Sequence, residues 1–191
     1  MHKFVRAAFT AALLSGASTV AIAAMSNSMM ANPMVGGQEM MAAKDIVDNA
    51  VNSPDHTTLV TAVKAAGLGD TLKGKGPFTV FAPTNEAFAA LPAGTVETLL
   101  KPENKATLTK VLTYHVVAGR YDFAALSKMI EAGNGHAALK TVEGGTLWVM
   151  MNGPRNIVLK DEKGGIATIS TYDVYQSNGI IQVIDKVVMP N

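Results

Sequence analysis

The sequence contains no cysteine and no marked excess of charge of either sign. Of its 191 residues, 16 are Lys or Arg and 15 are Asp or Glu, which gives a formal net charge of +1. The absence of cysteine excludes disulfide bonds, thiolate nucleophiles, Cys-ligated zinc and iron–sulfur clusters. The near-neutral charge argues against nucleic acid as a partner, because nucleic-acid binders usually carry a strong basic excess.

The sequence also lacks the common motifs of hydrolases. It has no G-x-S-x-G nucleophile turn and no H-E-x-x-H zinc helix, and its histidines lie far apart in the chain. The glycines and lysines of residues 69–75 do not form a phosphate loop, because Gly76 follows where Ser or Thr is required. Asp161 and Glu162 lie in a turn rich in Lys and Gly, which is typical of a solvated surface. We therefore predict no catalytic residues and no resident cofactor, and we predict that the protein is not an enzyme.

The first 23 residues have the pattern of a secretory signal peptide. Lys3 and Arg6 precede an uncharged run, residues 7–24, and the small residues Ala21 and Ala23 form a cleavage site. The alternative is a membrane anchor, but the run is rich in Ala, Ser, Thr and Gly. Cleavage after Ala23 would leave 14 basic and 15 acidic residues. We predict a secreted or periplasmic protein with no stable membrane span after cleavage.

Residues 24–41 are unusually rich in methionine. Six of the eleven methionines of the chain lie here among Ser, Asn, Gly and Pro, without a sustained apolar period, which predicts a flexible leader. Thioether sulfur is a soft ligand that suits Cu(I). A folded-back leader could gather several of these side chains around one ion: Met29, Met30, Met34, Met40 and Met41. The alternative is a tail that packs on the domain or has no role.

Residues 42–191 are predicted to form a single α+β domain. Helices are expected first, at residues 44–51, from the Ser53-Pro54 cap to Ala66, and then after Thr84, Gly94, Pro102 and Asp122. Early strands are expected at residues 78–82 and 114–117. After Gly135 the apolar period changes to two, and Asn-Gly and Gly-Gly pairs mark turns between strands. These later strands are predicted at residues 136–142, 145–151, 156–160, 166–171 and 179–188.

Three segments of this domain resemble the fasciclin, or FAS1, domain family. They are TVFAPTNEAFAALP at residues 79–92, the Tyr114-His115 pair, and SNGIIQVIDKVVMP at residues 177–190. The resemblance covers roughly residues 40–190, and it is strongest to small, single-domain bacterial secreted members. It implies a wedge-shaped β-sandwich packed with several helices that lie mostly in the N-terminal part of the sequence.

The resemblance also implies a function in adhesion and extracellular recognition, with a protein or polysaccharide as the partner. In adhesive members, an Asp-Ile pair and the Tyr-His region are linked to receptor binding. The matching positions here are Tyr114, His115, Asp173 and Val174, with Val in place of Ile. Gln182 stands where many members carry His, so a pH switch or metal ligand at that position is excluded.

The residues of the three segments, and Asp173, also have a purely structural interpretation. Phe81 and Phe88 are expected to fill the core. If Tyr114 and His115 lie on a strand, one of them points inward, where it would hold a loop by hydrogen bonds. Asp173 could simply cap a turn.

Overall fold

Most helices of the computed structural model, which describes residues 32–191, precede most of its strands in the chain. There are seven α-helices in this part of the chain: α1 (Ile46–Ala50), α2 (Thr57–Ala66), α3 (Gly69–Leu72), α4 (Asn85–Ala89), α5 (Thr95–Leu100), α6 (Lys105–Tyr114) and α7 (Phe123–Ala132). Single 3-10 turns at Pro54–His56 and Pro102–Asn104 lead into α2 and α6. No helix among these residues is long and apolar enough to cross a membrane.

Local caps determine where several of these helices begin and end. The Thr84 side chain accepts a hydrogen bond from the Ala87 N–H at the start of α4. Asp122 does the same for Ala125 at the start of α7. Gly67 adopts the left-handed conformation, with φ at 73°, and ends α2. These caps confirm the helix starts and stops that were predicted at the same residues.

Seven strands form one mixed sheet in the order β4-β3-β9-β8-β7-β6-β5. Their bounds are β3 (Phe78–Pro83), β4 (Val116–Ala118), β5 (His136–Lys140), β6 (Thr146–Met151), β7 (Ile157–Lys160), β8 (Ile166–Gln176) and β9 (Gly179–Ile184). A separate hairpin, β1 (Met34–Val35) and β2 (Gln38–Glu39), precedes α1. Only β3 and β9 are parallel neighbours, whereas the other pairs in the seven-stranded sheet are antiparallel.

The strand β8 connects the two halves of this sheet. Its first residues, 166–168, pair with β7, and residues 169–176 pair with β9. Two register shifts, one after Ile169 and one before Val174, interrupt the second pairing. Such bulges bend a strand and let it pass from one layer to the other. The bend brings β4 beside the end of β5, where Val117 and Thr141 form a single bridge, so the sheet almost closes into a barrel.

The core lies on both faces of the strand β3. Phe81 is fully buried inside the barrel with side chains of β5 to β9 and α7. Phe88 of α4 is buried on the opposite side, where helices α1 to α6 cover the sheet. Both phenylalanines therefore fill the core, as predicted.

The α+β class is confirmed, while several element boundaries differ from the predictions. Residues 114–117 were predicted as one strand, but α6 continues through Tyr114, and His115 caps it before β4 begins. The strand β8 runs five residues beyond the predicted end at residue 171, and β9 stops at Ile184 rather than at 188. The short helix α3 was not predicted.

The end of the predicted flexible leader is part of the folded unit, which spans Asn32–Asn191. The β1–β2 hairpin is fixed by backbone pairing of Met34 with Glu39 and by a 3.0 Å hydrogen bond from Met40 N to Pro33 O. Val35 and Met40 are buried against the helical side of the core. The prediction of a leader up to residue 41 is therefore wrong for residues 32–41. The proposed signal peptide lies outside the described residues.

Candidate recognition surface

Asp173 lies in the bulge of β8, in a backbone conformation that is uncommon for a residue with a side chain. Its φ is 56°, one of two positive values among non-glycine residues in the described part of the chain. Asp tolerates this left-handed region better than most residues, because its short side chain bonds locally. Strained positions of this kind persist where surrounding contacts fix them, and they cluster at functional sites. Asp173 is thus part of a bulge and does not cap a hairpin turn.

The buried amide of Gln182 on β9 fixes this bulge. Its Oε1 accepts from the Asp173 N–H at 3.1 Å, and its Nε2 donates to Asp173 Oδ1 at 3.0 Å. The same Nε2 donates to the Tyr121 carbonyl at 3.0 Å. Gln182 is fully buried, so its role at this position is to join the bulge of β8 to the loop before α7.

That loop, residues 119–123, is held from two further sides. The Phe123 N–H donates to Asp173 Oδ1 at 2.8 Å. The hydroxyl of Thr79, which is fully buried on β3, accepts from the Tyr121 N–H at 2.9 Å and donates to the Gly119 carbonyl at 2.8 Å. Gly119 has a φ of 115°, and a Cβ there would lie 2.8 Å from the Tyr121 ring. The hydrogen bonds therefore fix the shape of the loop, and this shape requires glycine at position 119.

The outer side of this loop and bulge presents mixed charge beside an aromatic ring. We call it the bulge surface and define it by Arg120, Asp122, Asp173 and Tyr175. Arg120 and Tyr175 are exposed and the two aspartates are half-buried. The Tyr175 hydroxyl donates to Asp122 Oδ2 at 3.4 Å, and desolvation followed by the negative charges of Asp173 and Asp122 raises the pKa of Tyr175. The surface is thus preorganised and keeps its phenol protonated.

Tyr114 lies inside the barrel, where its hydroxyl connects β6 to the turn between β7 and β8. Its hydroxyl donates to the Thr146 carbonyl at 2.6 Å and accepts from the Glu162 N–H at 3.2 Å. Desolvation, which outweighs the hydrogen bond from Glu162, raises the pKa of Tyr114 to about 12. The side chain is fully buried, so its observed contacts are those of a scaffold.

His115 is also buried and connects α6 to the C-terminal segment. Its Nδ1 lies 2.8 Å from the Val111 carbonyl, and its Nε2 accepts from the Val188 N–H at 3.2 Å. These partners assign the proton to Nδ1 of a neutral ring. Burial lowers the pKa of His115 to about 4. Val174 is buried too, so Asp173 alone of the four predicted partner-binding residues reaches the surface.

The acidic pair that was expected on a solvated turn is instead integral to the fold. Asp161 is 4% exposed, and its carboxylate accepts from the N–H groups of Lys163, Gly165 and Met189 at 2.6–3.0 Å. Glu162 accepts from the N–H groups of Thr146 and Asn191, and these bonds lower its pKa. The prediction of an exposed pair is wrong for the buried Asp161, and Glu162 is half-buried, because backbone N–H groups of the C-terminal segment bind both carboxylates.

The methionines predicted as Cu(I) ligands have different environments. Met40 is 1% exposed within the core, whereas Met34 and Met41 are 59% and 44% exposed. Met29 and Met30 lie outside the described residues. Within residues 32–191, no three His, Asp or Glu side chains are grouped to hold a metal ion. Cu(I) binding by the leader stays a prediction.

Sequence reasoning missed two members of the bulge surface and the role of a third residue. Nothing in the sequence around Arg120 and Tyr175 distinguishes them from other exposed residues. From the sequence, Gln182 is distinguished only by the absence of the titratable ring that His would supply, and its bonds to the bulge are not indicated. A usable signal was present at Asp122, which was predicted as a helix cap and therefore fixes the start of α7 beside the bulge.

The nearly closed sheet has helices α1 to α6 on one face and α7 packed with the side chains of the other. This architecture, together with the ordered bulge and loop, defines a fold class that the comparisons identify. The family model of the Fasciclin domain matches residues 54–190. The chain therefore belongs to the fasciclin domain family.

Curated relatives match over most of the chain. Protein sll1483 of Synechocystis sp. is 43% identical, with 92% of this chain and 89% of that protein covered. Immunogenic protein MPB70 of Mycobacterium bovis is 36% identical, with 78% and 71% covered. Among solved structures, a FAS1 domain pair from the insect cell adhesion molecule Fasciclin I matches with a TM-score of 0.66 at 18% identity. That match covers 75% of this chain and half of the domain pair, and it supports the fold alone.

Proposed function

We propose that this protein is an exported, non-enzymatic recognition and adhesion domain that binds a protein or polysaccharide at the cell surface or in the periplasm. The family includes cell adhesion proteins and, at 35% identity, a cell surface glycolipoprotein of Mycobacterium bovis. The signal-peptide pattern of residues 1–23 supports export. The bulge surface is the proposed contact site.

The observation that carries this proposal is the strained, half-exposed Asp173 fixed by the buried Gln182. Three hydrogen bonds join Asp173 to Gln182 and Phe123, so the carboxylate is held in place before any partner arrives. Preorganised groups lose little conformational entropy on binding. Arg120 and Tyr175 add a cation and an aromatic ring, which are residue types enriched at binding hot spots.

The test is attachment of the purified mature protein to washed cells of its source organism. Asp173→Asn keeps the oxygen that accepts from Phe123 and Gln182 but removes the charge, and Asn tolerates positive φ. We expect this variant to attach at least about fivefold less, since a charge-assisted contact typically contributes more than 1 kcal/mol. Its melting temperature should stay close to that of the wild type.

Lys128→Gln is the matched control, because it removes one exposed charge from α7 outside the bulge surface. It should attach as the wild type does. Equal attachment by Asp173→Asn and the control would place the contact elsewhere. Export is tested separately, since the protein recovered outside the cytoplasm should have the mass of a chain that begins at Ala24.

A further inference from the structure

A cleft of about 480 Å³ lies on the outer face of strands β5, β6 and β7. Trp148 on β6 pairs with Ala138 on β5 and with Lys160 on β7. Alternate residues of a strand share a face, so Met150 lies beside Trp148 and opposite His136. The inward neighbours on β6 are fully buried in the barrel, whereas the Trp148 side chain is half-exposed. The chain thus presents its one tryptophan as the floor of an open cleft.

Exposed charge around this cleft is mainly positive. Lys160 and Lys163 are exposed at its rim, and Lys140 lies on the same face of β5. Within residues 32–191 none of these lysines forms an ion pair, since the ion pairs found there involve Lys73 and Lys110. The carboxylates at the rim are the buried Asp161 and the half-buried Glu162, both already bonded to backbone N–H groups. The available side chains therefore favour an anionic ligand.

The two strands that carry Trp148 and Lys160 are closed to a peptide that would extend the sheet. Strand β6 is paired with β5 on one side and β7 on the other, and β7 is paired with β6 and β8. The terminal strand β5 has a single bridge, from Thr141 to Val117, beside its end. A ligand on the outer face of β6 and β7 therefore meets side chains: a flat apolar ring flanked by cations. A pyranose ring has apolar C–H faces that pack on such a ring, and a uronic acid adds a carboxylate.

We propose that this cleft binds an acidic polysaccharide that contains uronic acid residues. One sugar ring packs on the indole of Trp148, and carboxylates of that ring and its neighbours pair with Lys160 and Lys163 through charge-assisted hydrogen bonds. The inference rests on the proposed recognition function and adds a second surface to it, on strands other than those that carry the bulge surface.

The probe is a size-fractionated oligogalacturonate titrated into the mature protein. Trp148 is the only tryptophan, so its fluorescence reports occupancy of the cleft directly. We expect a saturable change in emission that weakens as salt is raised. The same oligomer with its carboxylates methyl-esterified should bind at least about tenfold more weakly, because it loses the charge-assisted bonds.

Two variants locate the binding. The double variant Lys160→Gln and Lys163→Gln should weaken binding at least about tenfold, while Lys101→Gln with Lys128→Gln, which removes two exposed lysines elsewhere, should not change it. Trp148→Phe, followed by calorimetry, should retain the fold and weaken binding.

The proposal is overturned if oligogalacturonate gives neither an emission change nor heat, or if the esterified oligomer binds equally well. It is also overturned if the cleft variants bind as the wild type does, or if polyglutamate or phosphatidylglycerol vesicles occupy the cleft in preference to the sugar. These outcomes do not contradict the proposed role of the bulge surface, because the Asp173→Asn attachment assay tests that role independently. Conversely, wild-type attachment by Asp173→Asn together with specific oligogalacturonate binding would reject the bulge surface and retain the cleft.

Discussion

Single buried polar residues hold together parts of this chain that are distant in sequence. Gln182 joins the bulge of β8 to the loop before α7, Asp161 joins the β7–β8 turn to the C-terminal segment, and His115 joins α6 to the same segment. Each of these side chains is bonded on at least two sides. A buried polar group that loses its partner costs about 1–3 kcal/mol, so such residues are sensitive positions.

The neutral state of His115 makes stability depend on pH in a defined direction. Its pKa is about 4 when folded and 6.5 in the unfolded reference. Between these values the unfolded chain binds a proton that the folded chain does not, so the free energy of unfolding falls as the pH falls from 6.5 towards 4. The loss attributable to His115 approaches about 3 kcal/mol and is absent above pH 6.5. Burial lowers the pKa of His56 too, which acts in the same direction.

Urea denaturation across pH 4 to 7 checks this expectation. His115→Gln retains an acceptor for the Val188 N–H but cannot titrate, so its stability should decline less with acid than that of the wild type. His136→Gln, which removes an exposed ring, is the matched control and should keep the wild-type slope. Identical slopes for the wild type and His115→Gln would contradict the assignment.

At the scale of elements, the N-terminal hairpin is part of the core although its composition is that of a leader. Val35 and Met40 turn their side chains into the helical side of the core, and the hairpin is also held through Asn49 of α1. The Asn49 Oδ1 accepts from the Met41 N–H at 3.1 Å, and its Nδ2 donates to the Met41 carbonyl at 2.7 Å.

Met40→Ala should therefore lower the free energy of unfolding by about 2–5 kcal/mol, because it leaves a cavity in a packed core. Met34→Ala on the same hairpin removes a side chain that is 59% exposed, and its effect should stay within about 0.5 kcal/mol. Thermal unfolding of both variants makes the comparison. Equal effects would mean that the hairpin does not pack on the domain in solution.

Tests of Cu(I) binding should replace methionines with leucine, since truncation at residue 42 would remove the hairpin from the folded domain.

Local signals predicted the helical elements better than the site. Thr84, Asp122 and Gly67 could be assigned because a cap bonds within its own turn. The end of α6 was predicted too early. The β-branched residues Val116 and Val117 favour a strand, and the same preference was assigned to Tyr114 and His115, which belong to the last turn and cap of the helix. The burial of Asp161 depends on the remote Met189 N–H, and the strained backbone of Asp173 depends on Gln182. No local pattern carries such information, so the site required the tertiary structure.

At the scale of the whole molecule, protection from hydrogen exchange should rise from the N-terminal hairpin to the interior strand β9 of the sheet. The strand β9 is paired along its whole length with β3 and along most of it with β8, whereas the hairpin β1–β2 has two paired positions on each strand. Hydrogen exchange followed by mass spectrometry should find β9 among the last segments to exchange, near the rate of global unfolding, and residues 34–39 among the first. Early exchange of β9 would contradict a sheet organised around it.

The position of β9 also sets an order on biosynthesis. The interior strand β9, which lies between β3 and β8, is made after every other strand, and its parallel partner β3 is made about a hundred residues earlier. While the ribosome is still producing residues 84–178, β3 lacks its parallel neighbour β9. The two halves of the sheet cannot join during this time, because β9 is the strand that lies between β3 and β8. Contacts so distant in sequence form late. The nascent chain therefore has no finished sheet until its last strand has been synthesised, and the domain completes its fold only after that strand is available to pair with β3 and β8.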